Sequence, residues 1–253
     1  MTPLFDRLVV GTLPLVPRAL VKRVASRYVA GETLDDALTT VRALAAEGAM
    51  ATLDILGERV SRPEQTEATR DQYLRVIDAI ASIGLNANVS VKPTAVGLAI
   101  DPALALRHCA DICARAAAHG MFVRLDMEDS PYTESTLRLA LELKARFPAV
   151  GVAIQAYLKR SLRDLDRLIA ARMNVRFCKG IYVEPRTIAW KERATVIDSF
   201  GALVEKHLSA GCYASIATHD EACVQRALVT IDRLSLSPDR YEFQMLLGVD
   251  PVL

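Results

Sequence analysis

Two hydrophobic periods alternate along this chain. Short apolar runs, several rich in β-branched residues, occur at "MATLDIL" (50–56), "NANVSV" (86–91), "MFVRLDM" (121–127), "GVAIQAY" (151–157), "NVRFC" (174–178), "YASIAT" (213–218) and "YEFQML" (241–246). Their length and composition predict strands. Between them, apolar residues recur at helical spacing. In "EATRDQYLRVIDAIASIG", Tyr73, Val76, Ile77 and Ile80 share one face, and Gly84 stops the helix. The same pattern predicts helices in "PALALRHCADICARAAAHG", "TESTLRLALELKARF", "SLRDLDRLIAARM", "ERATVIDSFGALVEKHLSAG" and "EACVQRALVTIDRLS". Two more precede the first strand, "VPRALVKRVASRYV" and "TLDDALTTVRALAAEG". Helices that close on Gly84, Gly120 and Gly211 and then enter a strand match αβ loop chemistry.

Strands separated by helices imply a parallel sheet, either doubly wound or closed into a barrel. Two features select the barrel. No G-x-G-x-x-G follows the first strand, and no P-loop is present. Polar residues also gather at nearly every strand's C-terminal end: Asp54 and Glu58, Lys92, Asp126 and Glu128, Gln155, Arg176 and Lys179, Thr218 and His219, Glu242 and Gln244. In a barrel those ends converge on one mouth, whereas in an open sheet they spread along an edge. A chain of 253 residues suits one such unit. We therefore expect an α/β fold, a (β/α)8 TIM-type barrel over residues 49–253 behind an N-terminal helical segment, 1–48. The chain stops at "LGVDPVL", so the last βα unit is expected to be absent from it.

Composition narrows the function. Hydrophobic residues make up 51% of the chain and charged residues 24%, enough to fill a large core. With 31 basic and 30 acidic residues, net charge is +1, and no basic field suggests nucleic acid. Cys109, Cys113, Cys178, Cys212 and Cys223 are odd in number and form no C-x-x-C. Cys109 and Cys113 near His108 could hold a metal, but small buried thiols in a reducing cytosol are the favoured reading. "MTPLFDRLVVGTLPLVPRAL" carries Asp6, Arg7, Pro14 and Pro17 and no small-residue cleavage site, which argues against a signal peptide. The stretch "LPLVPRALVKRVASRYV" either packs on the barrel, the favoured reading, or lies on a membrane surface.

The strand ends carry the candidate chemistry. Lys92 reads as a cation for a carboxylate or phosphate, a Schiff-base lysine, or a solvated loop residue. Asp126 closes an apolar strand, where a carboxylate is costly unless paired. Arg124 lies too deep to pair with it within the strand, which leaves Arg176 or Lys92 across the mouth. Glu128 and Asp129 read as loop or helix N-terminal charges. Gln155 suits either a heterocycle edge or structural hydrogen bonding. Thr218-His219 offers a base, a ligand or a helix cap, and no second His stands at metal-ligand spacing. Arg176 and Lys179 have opposite strand parity, so both reach the mouth only if the strand ends near Cys178. No Ser-His-Asp arrangement or G-x-S-x-G occurs. Asp126 and Glu242 could pair as in a glycosidase, but 6% aromatic residues and one Trp are thin for a sugar cleft.

Taken together, "ATLDILGE", "NVSVKPTAVG", "VRLDMED", "VAIQAYLKRS", "VRFCKGIYVEP", "IATHDE" and "YEFQMLLGV" resemble the proline dehydrogenase family, of the monofunctional bacterial type, over roughly residues 30–249. Each segment alone is weak; seven in order, each at a strand end, are specific. The resemblance implies an FAD-dependent barrel that oxidises L-proline to Δ1-pyrroline-5-carboxylate and passes electrons to a membrane quinone. It implies a catalytic pair in Asp126 and Arg176 and a substrate-carboxylate contact in Lys92. It implies flavin contacts in Met127, Gln155, Lys179, Gly180, Ile181, Thr218 and His219, and a gate carboxylate in Glu58. The expected location is the cytoplasm, at the inner membrane face if the protein associates peripherally. In this family a Tyr-x-x-Arg-Arg type helix after the eighth strand grips proline, and nothing follows Leu253 here. Carboxylate binding is therefore expected to fall largely to Lys92. A Schiff-base aldolase using Lys92 or Lys179, and an inactive truncated fragment, are the alternatives.

Overall fold

A computed structural model describes residues 29–57 and 60–249. The first predicted helix and Glu58 lie outside the described residues. The elements are α1 (Leu34–Ala46), β1 (Ala51–Asp54), α2 (Pro63–Ser82), β2 (Ala87–Val91), α3 (Pro102–Ala118), β3 (Val123–Leu125), α4 (Ser130–Arg146), β4 (Val150–Gln155), α5 (Ser161–Ala170), β5 (Asn174–Cys178), α6 (Arg193–Ser209), β6 (Ala214–Ala217), α7 (Glu221–Arg233) and β7 (Tyr241–Gln244). Every strand falls on its predicted run, with β4 starting one residue earlier. Local chemistry explains the helix ends. Thr33 and Asp36 form a reciprocal capping box on α1, and Asp101 and Asp220 cap α3 and α7. Gly84, Gly120 and Gly211 close α2, α3 and α6 in the left-handed region, as their positions predicted. Arg172 and Ser235 hold the same conformation after α5 and α7 without glycine's advantage.

The strands form one parallel sheet in the order β1-β2-β3-β4-β5-β6-β7. The sheet is curled. Arg176 on β5 reaches Ser90 on β2 at 3.1 Å, and Arg124 on β3 reaches Ser215 on β6 at 2.8 Å. Each pair spans three strand intervals, roughly 14 Å in a flat sheet, too far for one side chain. This is the barrel-type architecture expected. Among the described residues, no strand pairs with the outer edges of β1 and β7.

Strand parity sorts the core into two zones. Val89, Val91, Val123, Leu125, Val175, Phe177 and Ile216 are fully buried and belong to the main apolar cluster, with residues of the surrounding helices. The residues between them face the lumen, and there β2, β3, β5, β6 and β7 supply Ser90, Arg124, Arg176, Ser215 and Glu242. The lumen is thus polar, unlike the branched aliphatic filling common in such barrels. Gly151 makes room for it. It pairs with Arg124 on one side and Asn174 on the other, and a Cβ there would lie 2.7 Å from Arg124 Nη1 and 2.5 Å from the Asn174 carbonyl. Gly151→Ala should lower stability by about 1–3 kcal/mol, read as a lower urea midpoint. An unchanged midpoint would show that the lumen absorbs the methyl group.

His207 of α6 packs edge-on against Phe177 of β5 at 5.3 Å, and its Nε2 lies 3.0 Å from the Tyr213 carbonyl. Burial holds its pKa down at about 4. The unfolded chain, with an ordinary imidazole, therefore binds the extra proton between about pH 6.5 and 4. Stability from this group is complete above that window and falls as pH drops through it. His207→Gln should flatten the acid side of the stability–pH profile, and an equally steep profile in the variant would remove His207 from the account.

Candidate active site

Of the residues assigned to the mouth by sequence, Asp54, Lys92, Asp126, Glu128, Gln155, Lys179, Thr218, His219 and Gln244 lie at or just beyond a strand's C-terminal end, whereas Arg176 and Glu242 lie within β5 and β7 and face the lumen below it. Asp126 directly follows β3 and accepts from Arg176 Nη1 at 2.7 Å and from the Ser90 hydroxyl at 2.6 Å. Lys92, directly after β2, pairs with Asp54 and lies 3.7 Å from Asp126. The side chains of Lys92, Asp126 and Arg176 are 16–19% exposed, so the cluster is desolvated but open on one side. Asp54 also accepts from Tyr73 Oη at 3.2 Å, and burial raises its pKa despite Lys92 beside it. The expected pairing of Asp126 across the mouth is present, with both cations.

β5 ends at Cys178, as the parity argument required. Backbone pairing with the β4 side continues for one residue, the Tyr157 N–H donating to the Lys179 carbonyl at 2.9 Å. Gly180 then turns the chain at φ 114°, where a Cβ would lie 2.2 Å from the Tyr157 ring. Lys179 Nζ donates to Asp220 at 2.9 Å, and Arg193 donates to the other Asp220 oxygen at 2.8 Å. Burial alone would raise the Asp220 pKa; Lys179 chiefly, with the Ala222 N–H and Arg193, reverses that and holds it below the ordinary value. Two cations therefore share one buried carboxylate at the mouth. Ile181 and Val183 in the same loop are 85% and 100% exposed.

Gln155 is buried and its Nε2 donates to the Glu128 carbonyl at 2.9 Å, so this amide does structural work. Glu128 departs from the loop-charge reading. It is 2% exposed, and its carboxylate takes both the backbone N–H and the hydroxyl of Thr94, which fastens the β2 loop to the β3 loop. Asp129 sits at the N-terminus of α4, as expected. Met127 is buried beneath the mouth. Thr218 accepts from the Asp220 N–H at 3.1 Å, in effect capping the turn. His219 Nε2 accepts from the Leu246 N–H at 2.9 Å, which leaves the proton on Nδ1. That Nδ1 is buried and has no hydrogen-bond partner among the described residues. Sequence reasoning assigned no role to Ser90, Asp220 or Arg193, although each stood in a segment it had singled out: "NVSVKPTAVG", "IATHDE" and the helix "ERATVIDSFGALVEKHLSAG".

The donors fit an anionic, partly aromatic ligand held from one side. The orphaned His219 Nδ1, the excess of cation over carboxylate at Asp220, and the uncovered apolar loop residues supply hydrogen bonding, charge and stacking surface. Gly180→Ala should cost about 1–3 kcal/mol, because it forces a side chain into both a left-handed φ and the Tyr157 ring. Thermal unfolding measures it, and a melting temperature equal to the parent's would mean the turn relaxes freely.

The comparisons with known proteins agree on one relationship. A family model described as proline dehydrogenase matches residues 37–251. The proline dehydrogenase of Deinococcus radiodurans is 37% identical over 230 residues, covering 89% of this chain and 74% of that protein. Proline dehydrogenase 1 of Bacillus subtilis (strain 168) is 33% identical over 227 residues, covering 90% and 75%. In structure, the chain resembles proline utilization A (PutA) from Bdellovibrio bacteriovorus inactivated by N-propargylglycine, with a TM-score of 0.84 at 22% identity. That likeness covers 90% of this chain but only 29% of the PutA chain, so it speaks to the barrel alone. By family model and by relatives over most of its length, the chain belongs to the proline dehydrogenase family.

Proposed function

We propose that the protein oxidises L-proline to Δ1-pyrroline-5-carboxylate with FAD bound at the barrel mouth, the first step of proline catabolism, and that the electrons pass to a quinone. The observation that carries the reading is the Asp126–Arg176 ion pair, 2.7 Å long, at the C-terminal mouth of a barrel from this family. The missing dinucleotide fingerprint is consistent, since the mouth supplies its own cations and donors. A cytoplasmic location is part of the proposal; among the described residues no helix is long and apolar enough to cross a membrane.

In the reaction, C5 of proline loses a hydrogen with its electron pair and the nitrogen loses a proton, which leaves a C=N bond. FAD, when bound, supplies the acceptor for the electron pair and gains negative charge in doing so. The parts proposed for the residues rest on the family resemblance, and the geometry of the mouth supports them. Arg176, held through Nη1 by Asp126, would offer a fixed cation to the charge that develops on the bound cofactor. Lys92, between Asp54 and Asp126, offers an ammonium to the proline carboxylate. Lys179 and Arg193, both tied to Asp220, suit a diphosphate. Gly180 and Ile181 would lie along the cofactor, the first for close backbone approach and the second as apolar cover. Met127, Gln155, Thr218 and His219 would complete the holding set, with His219 Nδ1 as a donor. An aldolase reading needs a neutral amine, whereas Lys92 and Lys179 are both ion-paired.

The purified protein, supplied with FAD, should show flavin bands in the visible blue that bleach anaerobically on addition of L-proline. Arg176→Met should lower the bound flavin's midpoint potential and reduce kcat/KM by about 10²-fold. A colourless protein that takes up no FAD defeats the cofactor assignment, and unchanged potential and turnover in the variant defeat the role of Arg176.

A further inference from the structure

Glu242 and Gln244 entered the sequence reading as polar residues at a strand end, Glu242 also as a candidate carboxylate partner of Asp126, and Arg124 only as a residue too deep to pair. In the fold they form one hydrogen-bonded chain. Arg176 Nε donates to Gln244 Oε1 at 2.6 Å. Gln244 Nε2 donates to Glu242 Oε1 at 2.8 Å. The same Glu242 oxygen accepts from the Ser215 hydroxyl at 2.6 Å and stands 3.9 Å from Arg124 Nη2. Arg124 is 2% exposed; its Nη2 donates to Ser215 at 2.8 Å and its Nη1 to the Asn174 side chain at 2.8 Å.

We propose that Gln244 and Glu242 are positioning residues for Arg176, anchored on the buried Arg124 guanidinium. A glutamine amide can turn either end toward a neighbour, but arginine only donates, so Arg176 requires the Gln244 oxygen. A lone glutamine could still flip and present its NH2 group. Glu242 prevents that, because an ionised carboxylate only accepts and so holds the NH2 end on its own side. Arg124 and Ser215 in turn hold Glu242. The planar guanidinium of Arg176 is then fixed at two points, Nε by Gln244 and Nη1 by Asp126 and Ser90. Its Nη2 has no hydrogen-bond partner among the described residues, which makes that edge the one left for a bound group. Two fixed points define the plane of the ion; Asp126 alone would leave it free to swing about one bond.

Gln244→Met keeps the length and removes both contacts. Glu242→Gln keeps the shape and removes the constraint on the Gln244 flip. Both should retain FAD, keep KM for L-proline within about threefold and lose about tenfold or more in kcat, the split expected when orientation rather than binding is lost. The bound flavin's midpoint potential should fall in both. Gln244→Glu restores the acceptor for Arg176 but sets two carboxylates 2.8 Å apart, facing Arg176, Arg124 and the Tyr213 hydroxyl. That pair must share a proton, so turnover should recover at low pH and be lost as pH rises, a profile the parent lacks.

The proposal rests on the flavin reading for its kinetic arm, and a second measurement separates the two. In the protein without added cofactor, the Arg176 Nε–H resonance in a ¹⁵N NMR spectrum should be protected from exchange, and Gln244→Met should abolish that protection. Protected Nε–H in the parent with no flavin uptake would sink the flavin reading and leave the positioning intact. Unprotected Nε–H in the parent, or unchanged kcat and potential in folded, FAD-loaded Glu242→Gln, would overturn the positioning.

Discussion

A buried charge must meet its counter-charge, and the lumen of this barrel is built around that constraint. Lys92, Arg124 and Arg176 stand against Asp54, Asp126 and Glu242, with Ser90, Ser215 and Gln244 as the hydroxyl and amide links between them. Such a set contributes little net stability when complete, since desolvation offsets attraction. Removing one member is different: it strands a partner's charge in a desolvated site, at a cost of about 3–5 kcal/mol. The set therefore acts as a unit, and it fixes side-chain geometry more than it stabilises the fold. Burial, with repulsion from Arg176, pulls the Arg124 pKa down to about 9 even though Glu242 and Asp126 pull the other way, which shows how costly that cation is to bury.

The packing around the lumen follows from it. The strand faces turned to the helices carry Val, Leu, Ile and Phe, and each such side chain contributes about 1.5–3 kcal/mol when fully buried. That apolar layer can fund an ionic interior because strand parity keeps the two apart. Gly151 exists in this scheme as a gap into which the Arg124 guanidinium fits. The Phe122 ring lies 4.7 Å from the same guanidinium and adds a cation–π contact. Above the lumen the character changes. Lys179 and Arg193 share Asp220 with 39% and 72% of their side chains exposed, and Ile181 and Val183 stand uncovered. A rigid lower cluster thus supports an upper rim whose groups can still change partners, the usual division between scaffold and ligand-facing loops.

Legibility from sequence varied with the range of the interaction. The Asp126–Arg176 pair was readable because a carboxylate at the end of an apolar strand must find a cation, and few candidates were available. Gly180 was readable because the parity of Arg176 and Lys179 demanded a strand end near Cys178. Glu128 was misjudged as a loop charge: its clamp on Thr94 joins residues 34 apart, and nothing local announces it. Arg124 was judged too deep to pair with Asp126, which was right, but its real partners lie on β5, β6 and β7. The left-handed Arg172 and Ser235 were unreadable for another reason, since the helix ends impose a conformation that their own side chains do not favour.

By itself, then, the sequence determined the alternation of strand and helix, the helix stops at Gly84, Gly120 and Gly211, and the collection of polar residues at strand ends. These follow from period and from backbone preference, which act over a few residues. Only the tertiary structure decided which polar residues meet. Curling brings β2 to β5 and β3 to β6 across the lumen, and that closure, not any spacing along the chain, couples Arg176 to Asp126 on one side and through Gln244 and Glu242 to Arg124 on the other. Partner choice was hidden because a hydrogen bond depends on distance and direction in space, and residues 50 to 91 apart acquire both only when the sheet closes.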